Sequence, residues 1–197
     1  MTAPVTTSRD LAATLVVYGA AGSGKTTVLH CIHDRVAADR RDSAVPLGSE
    51  LGAAPLLDWL PLDLGVIGGR RARVNLYAIP DRRHADATRR LILGDAAGVL
   101  FAADSQASRL ADNVAALERL GENLDIRAVD AGGVPLVMLY TKQDLPAELL
   151  LPRDALDREL NRTGAPSFAC SALRGAGVLE ALHAEIVMVM RRLSGRG

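Results

Sequence analysis

Eight residues, Gly19-Ala20-Ala21-Gly22-Ser23-Gly24-Lys25-Thr26, constrain this chain more than any other stretch of its 197. They follow an apolar run, Leu11 to Tyr18 (LAATLVVY), and open a segment, Thr26 to Val36, where Val28, Ile32 and Val36 recur at helical spacing. A G-x-x-x-x-G-K-[ST] run between a strand and a helix predicts a glycine-rich loop that curls so that successive backbone N–H groups point inward. Such a loop, with the helix N-terminus behind it, suits phosphate oxygens. Lys25 would then be a point charge for β- and γ-phosphates, and Thr26 would offer its hydroxyl to Mg²⁺.

Beyond that loop, apolar runs alternate with amphipathic segments. Pro61 to Ile67 and Arg73 to Ile79 read as two strands joined at Gly68-Gly69, a hairpin. Gly98 to Ala103 and Val134 to Tyr140 are almost continuously apolar, the pattern of strands covered on both faces. Ala107 to Leu124 reads as a helix with Leu110, Val114, Leu117 and Leu120 inward, and Val178 to Leu193 as a final helix after a short strand, Ser167 to Cys170. The expected fold is α/β, a P-loop NTPase by its Gly19–Thr26 loop: a three-layer sandwich whose mostly parallel, six-stranded sheet has one antiparallel edge strand from the hairpin. Residues 1–10 are expected to be a flexible N-terminus and 11–197 one domain. Ala38 to Leu60 has no clean period and reads as a mobile loop, although Leu56 to Leu60 could begin a strand.

Composition narrows the function classes. The chain is 49% hydrophobic and 23% charged, as globular domains are, and its 23 basic residues balance 23 acidic ones. That balance argues against a nucleic-acid binder, and 3% aromatic residues argue against base-stacking modules. Cys31 and Cys170 each sit in apolar sequence and read as buried, reduced thiols. Met1 to Asp10 has neither the basic region nor the apolar core of a secretory signal, and no apolar run approaches the ~18 residues of a membrane span. A cytoplasmic location is the expectation.

Thr141-Lys142-Gln143-Asp144 follows the Val134–Tyr140 run, at the carboxyl end of a strand, where open α/β sheets bind ligands. A carboxylate at Asp144 can accept both N1–H and the 2-amino N–H of guanine, whereas adenine lacks that amino group and presents an acceptor at N1. The Lys142 stem would lie along the base plane. Ser171-Ala172-Leu173, after the last strand, could present a backbone N–H to the guanine O6.

These motifs together resemble a Ras-like small GTPase. More narrowly, Tyr18-Gly19 leading into Gly24-Lys25-Thr26-Thr27, Pro61 to Gly65, Leu76 to Pro80, Arg89 to Leu93 and Ala103 to Gln106 are similar to the bacterial MglA-like GTPases of cell polarity and gliding motility. The resemblance runs from about Ala12 to Leu193. It implies a GTP/GDP-binding protein that uses Mg²⁺, with a Roadblock-type protein that stimulates hydrolysis docking on the switch face. It also implies nucleotide contacts from Ala21, Gly22, Ser23, Gly24, Lys25, Thr26, Thr27, Thr141, Lys142, Asp144, Ser171, Ala172 and Leu173.

Three departures from that pattern lie in the catalytic half. The loop arginine and threonine of the family fall on Ala53 and Ala54, neither of which can donate a side-chain hydrogen bond or ligate a metal; Ser49 and Glu50 are the nearest polar groups. The common D-x-x-G is Ala78-Ile79-Pro80-Asp81, which removes the metal-orienting aspartate, as MglA-like proteins also do, and sets a carboxylate where a glycine N–H meets the γ-phosphate. The water-orienting glutamine is Arg82. Arg82 has two readings, a catalytic arginine finger acting in cis beside Lys25, or a member of a solvated basic stretch with Arg83, Arg89 and Arg90. His84 is expected to be exposed, and Trp59 reads as an edge-packing residue or an interface anchor. The sum predicts a guanine-nucleotide-binding protein with weak or lost hydrolysis. The alternatives are an active switch completed by Arg82 or a partner, and an inert, nucleotide-filled scaffold.

Overall fold

A computed structural model describes residues 10–41, 45–47, 57–79, 86–124 and 133–194. Its elements run β1 (Leu11–Tyr18), α1 (Lys25–Arg35), β2 (Val45–Leu47), β3 (Leu57–Ile67), β4 (Arg70–Ala78), α2 (Asp86–Gly94), β5 (Ala96–Asp104), α3 (Leu110–Asn123), β6 (Leu136–Thr141), α4 (Arg153–Leu160), β7 (Ser167–Ala169) and α5 (Val178–Ser194). The strands form one sheet in the order β2-β3-β4-β1-β5-β6-β7. From β4 to β7 all neighbours are parallel, and β3 and β2 add on antiparallel.

The central strands are apolar along most of their length because each face meets helices. Leu15 and Val17 of β1, Leu100 and Ala102 of β5, and Val137 and Leu139 of β6 pack with Val28, Leu29 and Ile32 of α1 and Ala181, Leu182 and Val189 of α5. Their alternates, Val16, Tyr18, Val99, Phe101, Met138 and Tyr140, meet Leu93 of α2, Ala116 and Leu120 of α3, and Leu156 and Leu160 of α4. Period-2 alternation thus splits one apolar string into two cores, giving the three layers expected.

The hairpin turns where its glycines allow it: Gly68 and Gly69 have φ of 57° and 78°, the two positive values a type I′ turn requires. The six expected strands are present, and the sheet gains a seventh, β2. The loop expected over 38–60 is therefore shorter than its composition suggested. Ala38–Arg40 form a 3₁₀ turn, Arg41 bridges Leu62, Val45–Leu47 pair with Leu57–Trp59, and β3 starts at Leu57. No helix among the described residues is long and apolar enough to cross a membrane.

The sheet registers also align the carboxyl ends of four strands. Tyr18 of β1 pairs with Phe101, Asp104 of β5 with Thr141 of β6, and Tyr140 with Ala169 of β7. The loop after β1, the turn after β6 and the turn after β7 therefore emerge along one edge.

Candidate functional site

The loop after β1 is shaped by what surrounds it. A Cβ on Gly19 would lie 2.1 Å from the Ala102 carbonyl of β5, so only glycine lets β1 leave the sheet this close to its neighbour. Gly22 and Gly24 take positive φ of 74° and 91°, which turns the backbone into the cradle. Helix α1 then starts at Lys25 with no side-chain cap and no acidic residue in its first turn. Its first N–H groups are left to an external acceptor, and the helix dipole favours an anionic one. Lys25, 7% exposed, arches back so that Nζ donates to the carbonyls of Gly19 (2.9 Å) and Ala20 (2.7 Å). Its charge is thereby held over the loop.

Thr26 is exposed at the site, and its Oγ1 donates to Asp58 Oδ2 at 2.9 Å. Asp58 was absent from the sequence-derived site. It lies on β3 opposite Ala78 of β4, the residue that replaces the D-x-x-G aspartate. The hairpin register decides which β3 residue flanks Ala78, and it shifts between Asp63 and Gly65, so counting back from the Gly68-Gly69 turn would have pointed to Trp59 instead. Among the described residues no cluster of three or more His, Cys, Asp or Glu gathers for a metal. A hydroxyl and a carboxylate are nonetheless the hard oxygen donors suited to Mg²⁺, an ion that keeps several waters and takes few protein ligands when phosphates are present.

The turn after β6 is bound to this loop. Thr141 Oγ1 lies 2.9 Å from the Ser23 carbonyl and 3.0 Å from that of Ala103. Lys142 has φ of 63°, the one non-glycine positive value among the described residues, and its Nζ reaches Asp104 Oδ2 at 2.6 Å. Gln143 N–H donates to the Cys170 carbonyl, joining this turn to the one after β7. There the Ser171 hydroxyl donates to Asp144 Oδ1 at 2.5 Å, and Ser171 and Ala176 close the turn by exchanging N–H···O bonds of 3.0 Å. The Asp144 carboxylate is oriented by a neighbour rather than free to rotate.

Between these turns lies a cavity of about 190 Å³, lined by Gly24, Thr27, Thr141, Lys142, Asp144, Leu145, Ala172 and Leu173. Leu173 is 77% exposed at its mouth, an apolar side chain left facing water. The structure thus brings Gly24, Lys25, Thr26, Thr27, Thr141, Lys142, Asp144, Ser171, Ala172 and Leu173 to one edge, with Ala21, Gly22 and Ser23 on the adjoining loop. Arg82, Asp81, Arg83, His84, Ser49, Glu50, Ala53 and Ala54 lie outside the described residues.

Three further residues fall where packing dictates. Trp59 stacks on Tyr77 with ring centroids 6.5 Å apart and donates Nε1–H to Asn75 Oδ1 at 3.2 Å, away from the cavity. Cys31 and Cys170 are free and buried, and burial pushes the Cys170 thiol up to about 12, so it stays protonated and unreactive.

No family model matches the chain. Over 190 residues it is 35% identical to the mutual gliding-motility protein MglA of Myxococcus xanthus (strain DK1622), an alignment covering 96% of each sequence.

Proposed function

Since the chain belongs to the MglA-like branch of the Ras-like small GTPases, we propose that it binds guanine nucleotide and Mg²⁺ at the carboxyl edge of β1, β5 and β6, and that its own GTP hydrolysis is weak or absent. The observation carrying this reading is the Ser171–Asp144 pair beside the cavity. A carboxylate held in place beside this cavity, and joined through Thr141 to the phosphate loop, suits a guanine attached to a polyphosphate.

The roles follow from the geometry. Backbone N–H groups of Ala21 to Thr27 and the α1 N-terminus take the phosphates, with Lys25 as the fixed cation. Thr26 and Asp58 are the residues that would hold Mg²⁺, which when bound neutralises phosphate charge. Asp144 accepts the guanine N1–H and amino N–H, while the Lys142 stem and Leu173 flank the base. On the hydrolysis side, Ala53, Ala54, Asp81 and Arg82 leave the chain without the metal-binding hydroxyl and water-orienting amide of the family. A Roadblock-type protein on the switch face supplies or regulates what is missing. The relative's name ties that protein to gliding motility, and we extend a motility or polarity role of the same kind to this chain.

The test is the nucleotide that remains with the purified protein, identified by chromatography after denaturation. Guanine nucleotide is expected. Adenine nucleotide overturns the base assignment, and so does an empty protein that also refuses added GDP. Phosphate release from GTP by the chain alone is expected to be negligible. A measurable rate that Lys25→Ala abolishes would overturn the hydrolysis assignment.

A further inference from the structure

Asp104 closes β5 at the site edge, is 1% exposed, and is held from every side. Its backbone N–H donates to Asn113 Oδ1 at 3.1 Å, and Asn113 Nδ2 donates to its carbonyl at 2.8 Å. Its carboxylate accepts the Gln106 amide on both oxygens at 3.1 Å and the Gln106 backbone N–H on Oδ1 at 3.1 Å. The remaining approach is taken by Lys142 Nζ at 2.6 Å. Arg109 Nε lies 3.9 Å away, while another of its nitrogens donates to the Ala21 carbonyl of the phosphate loop at 2.7 Å.

Of the two cations near this fixed aspartate, Lys142 makes the close contact, at 2.6 Å against 3.9 Å for Arg109. Lys142 is 32% exposed, on a flexible four-carbon stem that in water samples many rotamers. It also adopts a positive φ that a side chain disfavours. Pinning its ammonium to Asp104 fixes the stem in the wall of the cavity that Ala172 and Leu173 also line. We infer that Asp104 is a positioning residue for the base slot: by anchoring Lys142 before the ligand arrives, it holds the slot open to a planar purine and slows the release of bound nucleotide. The inference deepens the guanine-nucleotide reading and rests on it. Ordering one long side chain in advance removes an entropic cost from the bound state, and an ion pair to a buried, immobile partner holds it better than one to a surface residue.

Dissociation of N-methylanthraniloyl-GDP, chased by excess GDP, tests this in four proteins: wild type, Asp104→Asn, Lys142→Met and the double variant. Asp104→Asn keeps the side-chain size and one acceptor but removes the charge that holds the lysine. It is expected to release the probe about tenfold faster than wild type, the size of one charge-assisted hydrogen bond. In the Lys142→Met background the same change is expected to alter the rate by less than about twofold, because Asp104 acts through that lysine. Equal acceleration in both backgrounds would mean a merely structural role and overturn the inference, as would a wild-type rate for Asp104→Asn. Should Asp104→Asn fail to fold, Gln106→Met replaces it. That change loosens the carboxylate from outside and is expected to accelerate release only when Lys142 is present; the same acceleration in both backgrounds, or none, overturns the inference. A wild-type protein that does not hold the probe overturns the guanine reading and this inference together. One that holds it, with unaltered variants, overturns only the role of Asp104.

Discussion

Asp58 stands directly across the β3–β4 ladder from Ala78, and its carboxylate accepts the Thr26 hydroxyl. The position that most small GTPases fill with a metal-orienting aspartate is thus an alanine with an aspartate beside it on the next strand. The acid has moved between strands without leaving the site. Its partner is the first threonine of α1, Thr26.

Asp58→Ala is therefore expected to mimic loss of Mg²⁺. Bound GDP should leave about tenfold faster in the presence of Mg²⁺, and chelation with EDTA should then add little, whereas wild type should respond strongly to EDTA. Release of a fluorescent GDP with and without EDTA measures both. An undiminished EDTA response in Asp58→Ala would remove this residue from the metal site.

Asp58 could not be read from the sequence because its place depends on a single irregularity. Counting back from the Gly68-Gly69 turn, an unbroken ladder would set Asp58 opposite Ile79. The register shifts between Asp63 and Gly65, where Gly65 has φ of 79° and donates its N–H to Asp63 Oδ1. That bulge moves every earlier residue by one and brings Asp58 to Ala78. What could be read was local: the apolar run Leu11 to Tyr18, the glycine turn of the hairpin, and the loop before Lys25. Val45–Leu47 escaped notice because a three-residue strand containing Pro46 has too little periodicity to distinguish from loop, and it gains its order only by pairing with β3. The Asp104–Lys142 pair was equally invisible, since it needs the β5–β6 register to bring the two chain segments together.

The Thr141 hydroxyl carries one hydrogen, and its acceptors are the Ser23 and Ala103 carbonyls. None is left for the purine N7. Replacing N7 by carbon should therefore cost this protein almost nothing, and 7-deaza-GDP is expected to compete with a fluorescent GDP within about twofold of GDP itself. A tenfold weaker 7-deaza analogue would show that a donor reaches N7 after all.

By the family resemblance, Asp81 stands where a glycine N–H would meet a terminal phosphate. Like charge at that place opposes GTP more than GDP, so GDP is expected to bind more tightly, by about tenfold for a partly screened pair. Asp81→Gly should narrow the gap from the GTP side, leaving GDP affinity unchanged. Isothermal titration of both nucleotides against both proteins decides it, and a wild-type preference for GTP would refute the argument.

Glu185 of α5 is fully buried, and its Oε1 lies where a Cβ on Gly98 would be 2.0 Å away. Neither carboxylate oxygen has a hydrogen-bond partner among the described residues. Burial therefore raises its pKa from 4.5 to about 8; the Val99 N–H pulls the other way, but that group is already bonded to the Pro135 carbonyl at 2.9 Å. The folded protein thus holds a proton that the unfolded chain gives up near the ordinary glutamate value. Between those two values the folded state binds more protons, so stability should fall as pH rises through the window and level off above about 8. From pH 6 to pH 9 the loss is expected to be roughly 1–3 kcal/mol in wild type and largely absent in Glu185→Gln, which cannot ionise. Urea unfolding of both proteins at several pH values measures this. Parallel losses in the two would show that Glu185 is not the titrating group.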